Sequence, residues 1–239
     1  MNLNRDVSIT WLGHAAFRLR TPGGKELLID PWLTGNPSCP AEHKQVEKAD
    51  LILVTHGHFD HLGDTVAIAQ RTGAKVVAMP EICTWLNGEG IPQDRTLGMN
   101  KGGTQVVDGI KVTMVQAVHS GGISQAGGSV YGGEPAGFVI ELENGFRIYH
   151  AGDTAVFADM KIIGELYQPE LAMLPIGDHY VMSPREAAYA CRLLGCKLVI
   201  PMHYGTFPVL TGTPQALRQE TASIEGLQIL EMRPGETLK

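Results

Sequence analysis

The 239-residue chain predicts an α/β fold in which two mixed β-sheets pack together under outer helices, a four-layer αββα sandwich. Three observations carry this expectation. Short runs of β-forming residues alternate with helical stretches along the whole chain. Two Gly-containing hairpin signals, Asp108-Gly109 and Glu143-Asn144-Gly145, join neighbouring strands. A strand followed by a histidine recurs in LILVTHGH, VTMVQAVHS, FRIYHAGD and KLVIPMHYG, so the second half echoes the first.

Residues 7–12, 16–20 and 26–29 open the chain as strands separated by Gly/Pro turns, and 51–55 is the next strand. Residues 62–71 read as one helix, 75–79 as a strand and 81–86 as a short helix ended by Asn87-Gly88. Residues 106–112 form a hairpin about Asp108-Gly109, and an alternating strand over 112–118 leads to His119. Strands at 137–142 and 146–149 follow, then buried strands at 171–174 and 198–200. Between these two, Ser183-Pro184-Arg185-Glu186 starts a helix strongly. Serine caps, proline fits the first turn, Glu186 reaches back, and the helix runs to Leu194 and stops at Gly195. The glycine-rich stretch 121–133 reads as a mobile connector that closes over a ligand or simply links strands, and it lacks the lysine and spacing of a phosphate-binding loop.

No linker-like stretch divides the chain, so residues 1–239 are expected to form a single domain. The net charge of -6 and the lack of a basic cluster argue against a nucleic-acid partner. The N-terminus has no apolar core of signal-peptide length and no run approaches a membrane span, which makes a cytoplasmic location the expectation. Cys39, Cys83, Cys191 and Cys196 are scattered without a CxxC pair and read as structural reduced thiols, with Cys39, in a polar loop, a candidate for exposure.

The richest chemistry lies in His56-Gly57-His58-Phe59-Asp60-His61, directly after an apolar strand. His56 and His58, two apart, can turn the same way from one loop, while Asp60 and His61 are carried round to a neighbouring position, so one loop can feed two metal ions. Imidazole nitrogen and carboxylate oxygen suit borderline divalent cations, zinc first, with manganese or ferrous iron as alternatives. The competing reading is a histidine-rich surface loop. His119, Asp153 in Tyr149-His150-Ala151-Gly152-Asp153-Thr154, and His203 each follow a strand and are suitable partners. Taken singly, each histidine also fits a structural role, and Asp153 a turn or cap.

The order HxHxDH, then His119, Asp153 and His203, resembles the metallo-β-lactamase superfamily over most of the chain, from Trp11 to about Phe207. WLGHAAF, LLIDPWL, THGHFDHLGD, YHAGDT, LPIGDHYVMSP and MHYGTFP are similar to a bacterial and archaeal group of metal-dependent hydrolases related to ascorbate-6-phosphate lactonases. The resemblance implies the metallo-β-lactamase fold and two divalent metal ions. His56, His58 and His119 would hold one, Asp60, His61 and His203 the other, and Asp153 would bridge them. It also implies hydrolysis of an ester, lactone or phosphodiester bond in a small-molecule substrate by a water bridging the two cations, with Asp60 or His179 handling the proton, and it makes a homo-oligomer plausible. Diiron redox relatives carry glutamate where this chain has His58. A non-enzymatic, metal-stabilised binding protein is the other alternative.

Asp30, before Pro31, is placed to accept the free N–H of a ligating histidine, or to serve as a turn residue. His14, His150 and His179 are further imidazoles in matching segments, with His179 preferred as a substrate contact or proton donor. Trp32, Tyr131, Tyr204 and Phe207 are candidates for a pocket wall or for the core.

Overall fold

Ser8–Trp11 (β1) and Phe17–Arg20 (β2) alternate apolar and polar residues, Glu26–Ile29 (β3) is mostly apolar, and β1–β2 and β2–β3 pair antiparallel in the computed structural model, which describes Leu3 and residues 5–239. The chain separates into two compact units. The first holds residues 1–100, 120–135 and 233–239, and the second holds 101–119 and 136–232. Neither is a continuous segment.

In the first unit, β3 pairs parallel with Leu51–Leu53 (β4), β4 with Lys75–Ala78 (β5), and β5 with Thr96–Gly98 (β6). The last short strand of the chain, Thr237–Leu238 (β16), adds beside β1 and completes seven strands in the order β16-β1-β2-β3-β4-β5-β6. β3 and β4 are almost wholly apolar and buried, as parallel strands inside a sheet require. Pro80–Gly88 (α3) turns Ile82, Cys83 and Leu86 inward at helical spacing.

The helix expected over 62–71 is broken in two: Phe59–Leu62 (α1) and Thr65–Thr72 (α2). Gly63, at φ +36, lies against the Trp32 backbone, where a Cβ would come within 2.5 Å of the Trp32 Cα. Asp64 leaves the helical path to accept the Leu33 and Thr34 amides at 2.6 and 2.9 Å. Periodicity saw only the apolar spacing, and tertiary contact placed the break. The segment expected as a connector over 121–133 instead folds as a hairpin of Gly122–Gln125 (β9) and Gly128–Tyr131 (β10), because Gly127 and Gly128 supply positive φ at the turn.

The second unit has a sheet of the same plan. Thr104–Val107 (β7), Ile110–Gln116 (β8), Ala136–Glu141 (β11) and Arg147–His150 (β12) pair antiparallel, and Leu171–Pro175 (β13), Leu198–Met202 (β14) and Gln228–Ile229 (β15) continue from β12 in parallel. Asp108 at φ +50 and Gly109 at φ +90 make the tight turn between β7 and β8 that their sequence specifies. Pro184–Leu194 (α5) has the expected capping box between Ser183 and Glu186 and ends at Gly195 in the left-handed region. Met160–Tyr167 (α4) and Pro214–Thr221 (α6) were not expected. Met160, Ile163, Ala187, Cys191, Leu194 and Leu217 from these helices bury against Val139, Tyr149, Ala172, Leu174 and Val199 of the sheet.

All four cysteines are free and buried. Cys39, a candidate for exposure, is only 5% exposed, its thiol turned to the Pro40 carbonyl. Among the described residues no helix is long and apolar enough to cross a membrane.

Candidate functional site

In the first unit the chain leaves β4 at Val54 and places Thr55, His56 and Gly57 in a buried turn. His58 caps α1, whose single turn accepts the His61 and Leu62 amides on the His58 carbonyl at 3.0 and 2.9 Å. This helical turn carries Asp60 toward His14, while the His61 ring stays beside His56 with 4.1 Å between centroids.

Asp30, at the end of β3, organises the loop. It is fully buried at φ +46. Its Oδ1 accepts the Thr55 amide at 2.8 Å, and its Oδ2 meets the Thr55 hydroxyl at 2.7 Å and His61 Nδ1 at 2.8 Å. Because the Thr55 hydroxyl has one proton and gives it to Asp30, its oxygen can only accept from His56 Nδ1, 3.0 Å away. Asp30 therefore fixes two tautomers, one directly and one through Thr55. Both His56 and His61 carry their proton on Nδ1 and turn a basic Nε2 to the other side.

His58 faces the opposite way. Its Nδ1 lies 3.0 Å from His56 Nε2, and its Nε2 lies 3.2 Å from the Ser120 hydroxyl. Gly57, between the two histidines, runs so close to the β9–β10 hairpin that a Cβ would meet Ile123 at 2.5 Å and the Gly121 carbonyl at 3.1 Å. Asp60 Oδ2 is 3.0 Å from Nε2 of the buried His14, and ligand atoms of His14, Asp60 and His61 lie within 4.8 Å of one another. Phe59 projects to solvent with its ring edge against Trp32, 5.6 Å between centroids.

In the second unit Asp153 follows β12 and is 3% exposed. One oxygen, Oδ2, lies 2.9 Å from His203 Nε2 and 3.6 Å from His119 Nε2. The loop is pinned to the strand that brings His119. The Thr154 hydroxyl accepts the Val118 amide at 3.0 Å, and the Ala155 amide donates to the Val118 carbonyl at 3.0 Å. His203, just beyond β14, is buried at φ +56, and a Cβ on Gly177 would collide with its carbonyl. His150, also buried, uses Nδ1 to accept the Gly152 amide at 3.1 Å, which shapes the turn before Asp153. His179 is exposed at φ +57, its ring edge-on to Tyr180 at 4.4 Å.

His56, His58, Asp60 and His61 lie in the loop and helical turn after β4 in the first unit, and His119, Asp153 and His203 each follow a strand in the second. The donor sets fit divalent metal ions. They combine buried or half-buried imidazole nitrogens with carboxylate oxygens and contain no thiolate. Among the described residues no cysteine belongs to a group of side chains close enough to hold a metal ion. Sequence reasoning did not single out Thr55 or Ser120. A threonine at a strand end reads first as β-propensity, and nothing in one sequence separates that role from a relay hydroxyl.

Fold and donors together define a metal-dependent hydrolase. The chain belongs to the metallo-β-lactamase superfamily, whose β-lactamase superfamily domain model matches residues 25–204. It is 56% identical to a UPF0173 metal-dependent hydrolase of Koribacter versatilis, over 97% of both chains. It is also 56% identical to one of Rubrobacter xylanophilus, over 96% of this chain and 95% of that one. Among solved structures it resembles Igni18, a metallo hydrolase of the archaeon Ignicoccus hospitalis, with a TM-score of 0.84 and 38% identity over 97% of both chains. Its two mixed sheets with flanking helices are the metallo-β-lactamase fold.

Proposed function

We propose that residues 1–239 act as one hydrolase domain that uses two divalent metal ions, zinc in the first instance, to cleave an ester, lactone or phosphodiester bond of a small-molecule substrate. The ligands in this reading are His56, His58 and His119 for one ion and Asp60, His61 and His203 for the other, with Asp153 shared. The observation that carries it is the pair of facing nitrogens, His56 Nε2 and His58 Nδ1, 3.0 Å apart. With the His56 proton committed to Thr55, that separation needs either a proton or a cation between the rings. The Asp153 oxygen, close to two imidazole nitrogens, is a second cluster of donors suited to a cation.

Such ions, when bound, supply Lewis-acid charge and a water acidic enough to deprotonate near neutral pH. The chain's own residues do the remainder. Asp30 and Thr55 hold His56 and His61 in the basic-Nε2 tautomer, Asp60 handles the proton of the attacking water, and exposed His179 donates to the leaving group. Four free, buried thiols suit a reducing compartment, which supports the cytoplasm as the location.

The test is turnover of a panel of phosphodiesters, esters and lactones by the full chain, alongside metal analysis of the protein as purified. Turnover should appear with metal, vanish with chelator, and fall by more than about 100-fold in metal-replete Asp60→Ala. Full activity in that variant, or equal activity in metal-free protein, overturns the reading.

A further inference from the structure

We infer that His14 is a positioning residue that holds the Asp60 carboxylate through its Nε2–H, as Asp30 holds His61. The inference rests on the reading of Asp60 as a metal ligand. His14 is a histidine in a place where a histidine is costly. It sits at φ +56, a region L-residues with a Cβ seldom enter, and it is fully buried. The surrounding turn is built to hold it there. The Trp11 indole donates to the His14 carbonyl at 3.0 Å, the Ala16 amide donates to the Gly13 carbonyl at 3.1 Å, and Gly13, at φ +94, lies close enough to Ser38 that a Cβ would sit 3.0 Å from its Cβ. The ring is locked edge-on to Trp32, 5.3 Å between centroids at 80°.

What this arrangement delivers is one nitrogen, Nε2, 3.0 Å from Asp60 Oδ2. A residue that only filled the core would not need a polar ring in a strained backbone. The neighbouring residue of the same helical turn is treated alike. His61 is held at 2.8 Å by Asp30, which is likewise fully buried and at positive φ. Two adjacent candidate ligands are thus each fixed by a separate strained, buried polar residue, one from the β1–β2 turn and one from the end of β3. Both residues sit at positive φ, which histidine and aspartate enter more readily than most residues, and both are sealed from solvent with a polar atom set on a candidate ligand. The nearness of His14 to His61 and Asp60 also admits His14 as a ligand in its own right, and the test separates the two roles.

The experiment is titration of the metal-free full chain with Co2+, read by its d–d absorption and by competition with a chromophoric chelator. Wild type should take up two Co2+. His14→Phe should keep one with unchanged affinity and bind the other about 10–100-fold more weakly, and His14→Gln, which retains an N–H donor, should recover most of that loss. A merely structural role would lower the melting temperature without this selective effect. In an Asp60→Ala background His14→Phe should add no further weakening, because its effect passes through Asp60.

A further loss in that background makes His14 a ligand and overturns the proposal. So does wild-type binding by His14→Phe when Asp60→Ala is weakened. If Asp60→Ala itself leaves both affinities unchanged, the ligand reading of Asp60 fails and the role of His14 falls with it. Should His14→Phe not fold, His14→Ala, which also removes the ring N–H, takes its place in the cycle. No additional loss supports the proposal, and an additive loss overturns it.

Discussion

The Asp30 carboxylate meets His61 Nδ1 at 2.8 Å through the same oxygen that takes the Thr55 hydroxyl, with both Asp30 and His61 wholly sealed from solvent. A buried carboxylate is costly unless its oxygens are satisfied, and here three donors, the Thr55 amide, the Thr55 hydroxyl and the His61 ring, converge on it. The strand end therefore dictates the proton positions of two imidazoles before any metal arrives.

Asp30→Asn tests this more sharply than alanine. Asparagine tolerates the φ of +46 and can still accept the Thr55 amide, but its NH2 then points where two donors now arrive. His61 relieves the clash by moving its proton to Nε2, the nitrogen it would need for a metal. Metal affinity should fall by about 10–100-fold with the fold intact by circular dichroism, measured by competition with a chromophoric chelator. Unchanged affinity would show that Asp30 does not set the tautomer.

Gly57 couples the histidine loop to the β9–β10 hairpin by sheer closeness. Gly57→Ala would drive a methyl group into Ile123 at 2.5 Å and toward the Gly121 and Gly122 carbonyls at 3.1 and 3.3 Å. The expected cost is about 1–3 kcal/mol of stability in urea denaturation. Adding Ile123→Ala should return part of it, since the side chain is the nearest obstacle and the carbonyls need to shift only a few tenths of an ångström. A Gly57→Ala variant as stable as wild type would mean the hairpin is free to retreat.

Much of this was legible in the sequence where the cause is local. The Asp108-Gly109 turn, the Ser183 capping box and the stop at Gly195 all depend on residues within a few positions of one another, and they appear as expected. The HxHxDH spacing predicts that His56 and His58 turn the same way with His61 carried elsewhere, whereas His58 presents Nδ1 to His56 Nε2 at 3.0 Å and the His61 ring packs beside His56 with 4.1 Å between centroids. The break at Gly63 was not legible, because it is imposed by Trp32, thirty-one positions earlier. The hold of His14 on Asp60 spans forty-six positions and requires a backbone conformation that histidine does not advertise. The β9–β10 hairpin was hidden for a different reason. Its glycines look like slack in a one-dimensional reading, while in space they permit a tight turn and close approach to the loop. The Thr213-Pro214 start of α6 was present as a cap signal but followed no clear apolar period.

The four cysteines give the protein an alkaline limit. Burial raises Cys39 and Cys83 to about 11 and Cys191 and Cys196 to about 12, against an ordinary value of 9.0. Below pH 9 both folded and unfolded chains keep these protons, so the thiols leave stability independent of pH. Between pH 9 and the folded values the unfolded chain releases protons that the folded chain retains, and stability falls as pH rises. Each thiol in its window contributes a slope of roughly 1 kcal/mol per pH unit. Denaturation midpoints should therefore drop steeply from about pH 9 upward, and Cys191→Ala should flatten that slope whatever its effect on stability at neutral pH. The same burial predicts that a thiol reagent at pH 8 labels the native chain slowly and reaches all four cysteines only in denaturant. Rapid labelling of the native protein, or a slope unchanged by Cys191→Ala, would show that these thiols are not shielded as their packing requires.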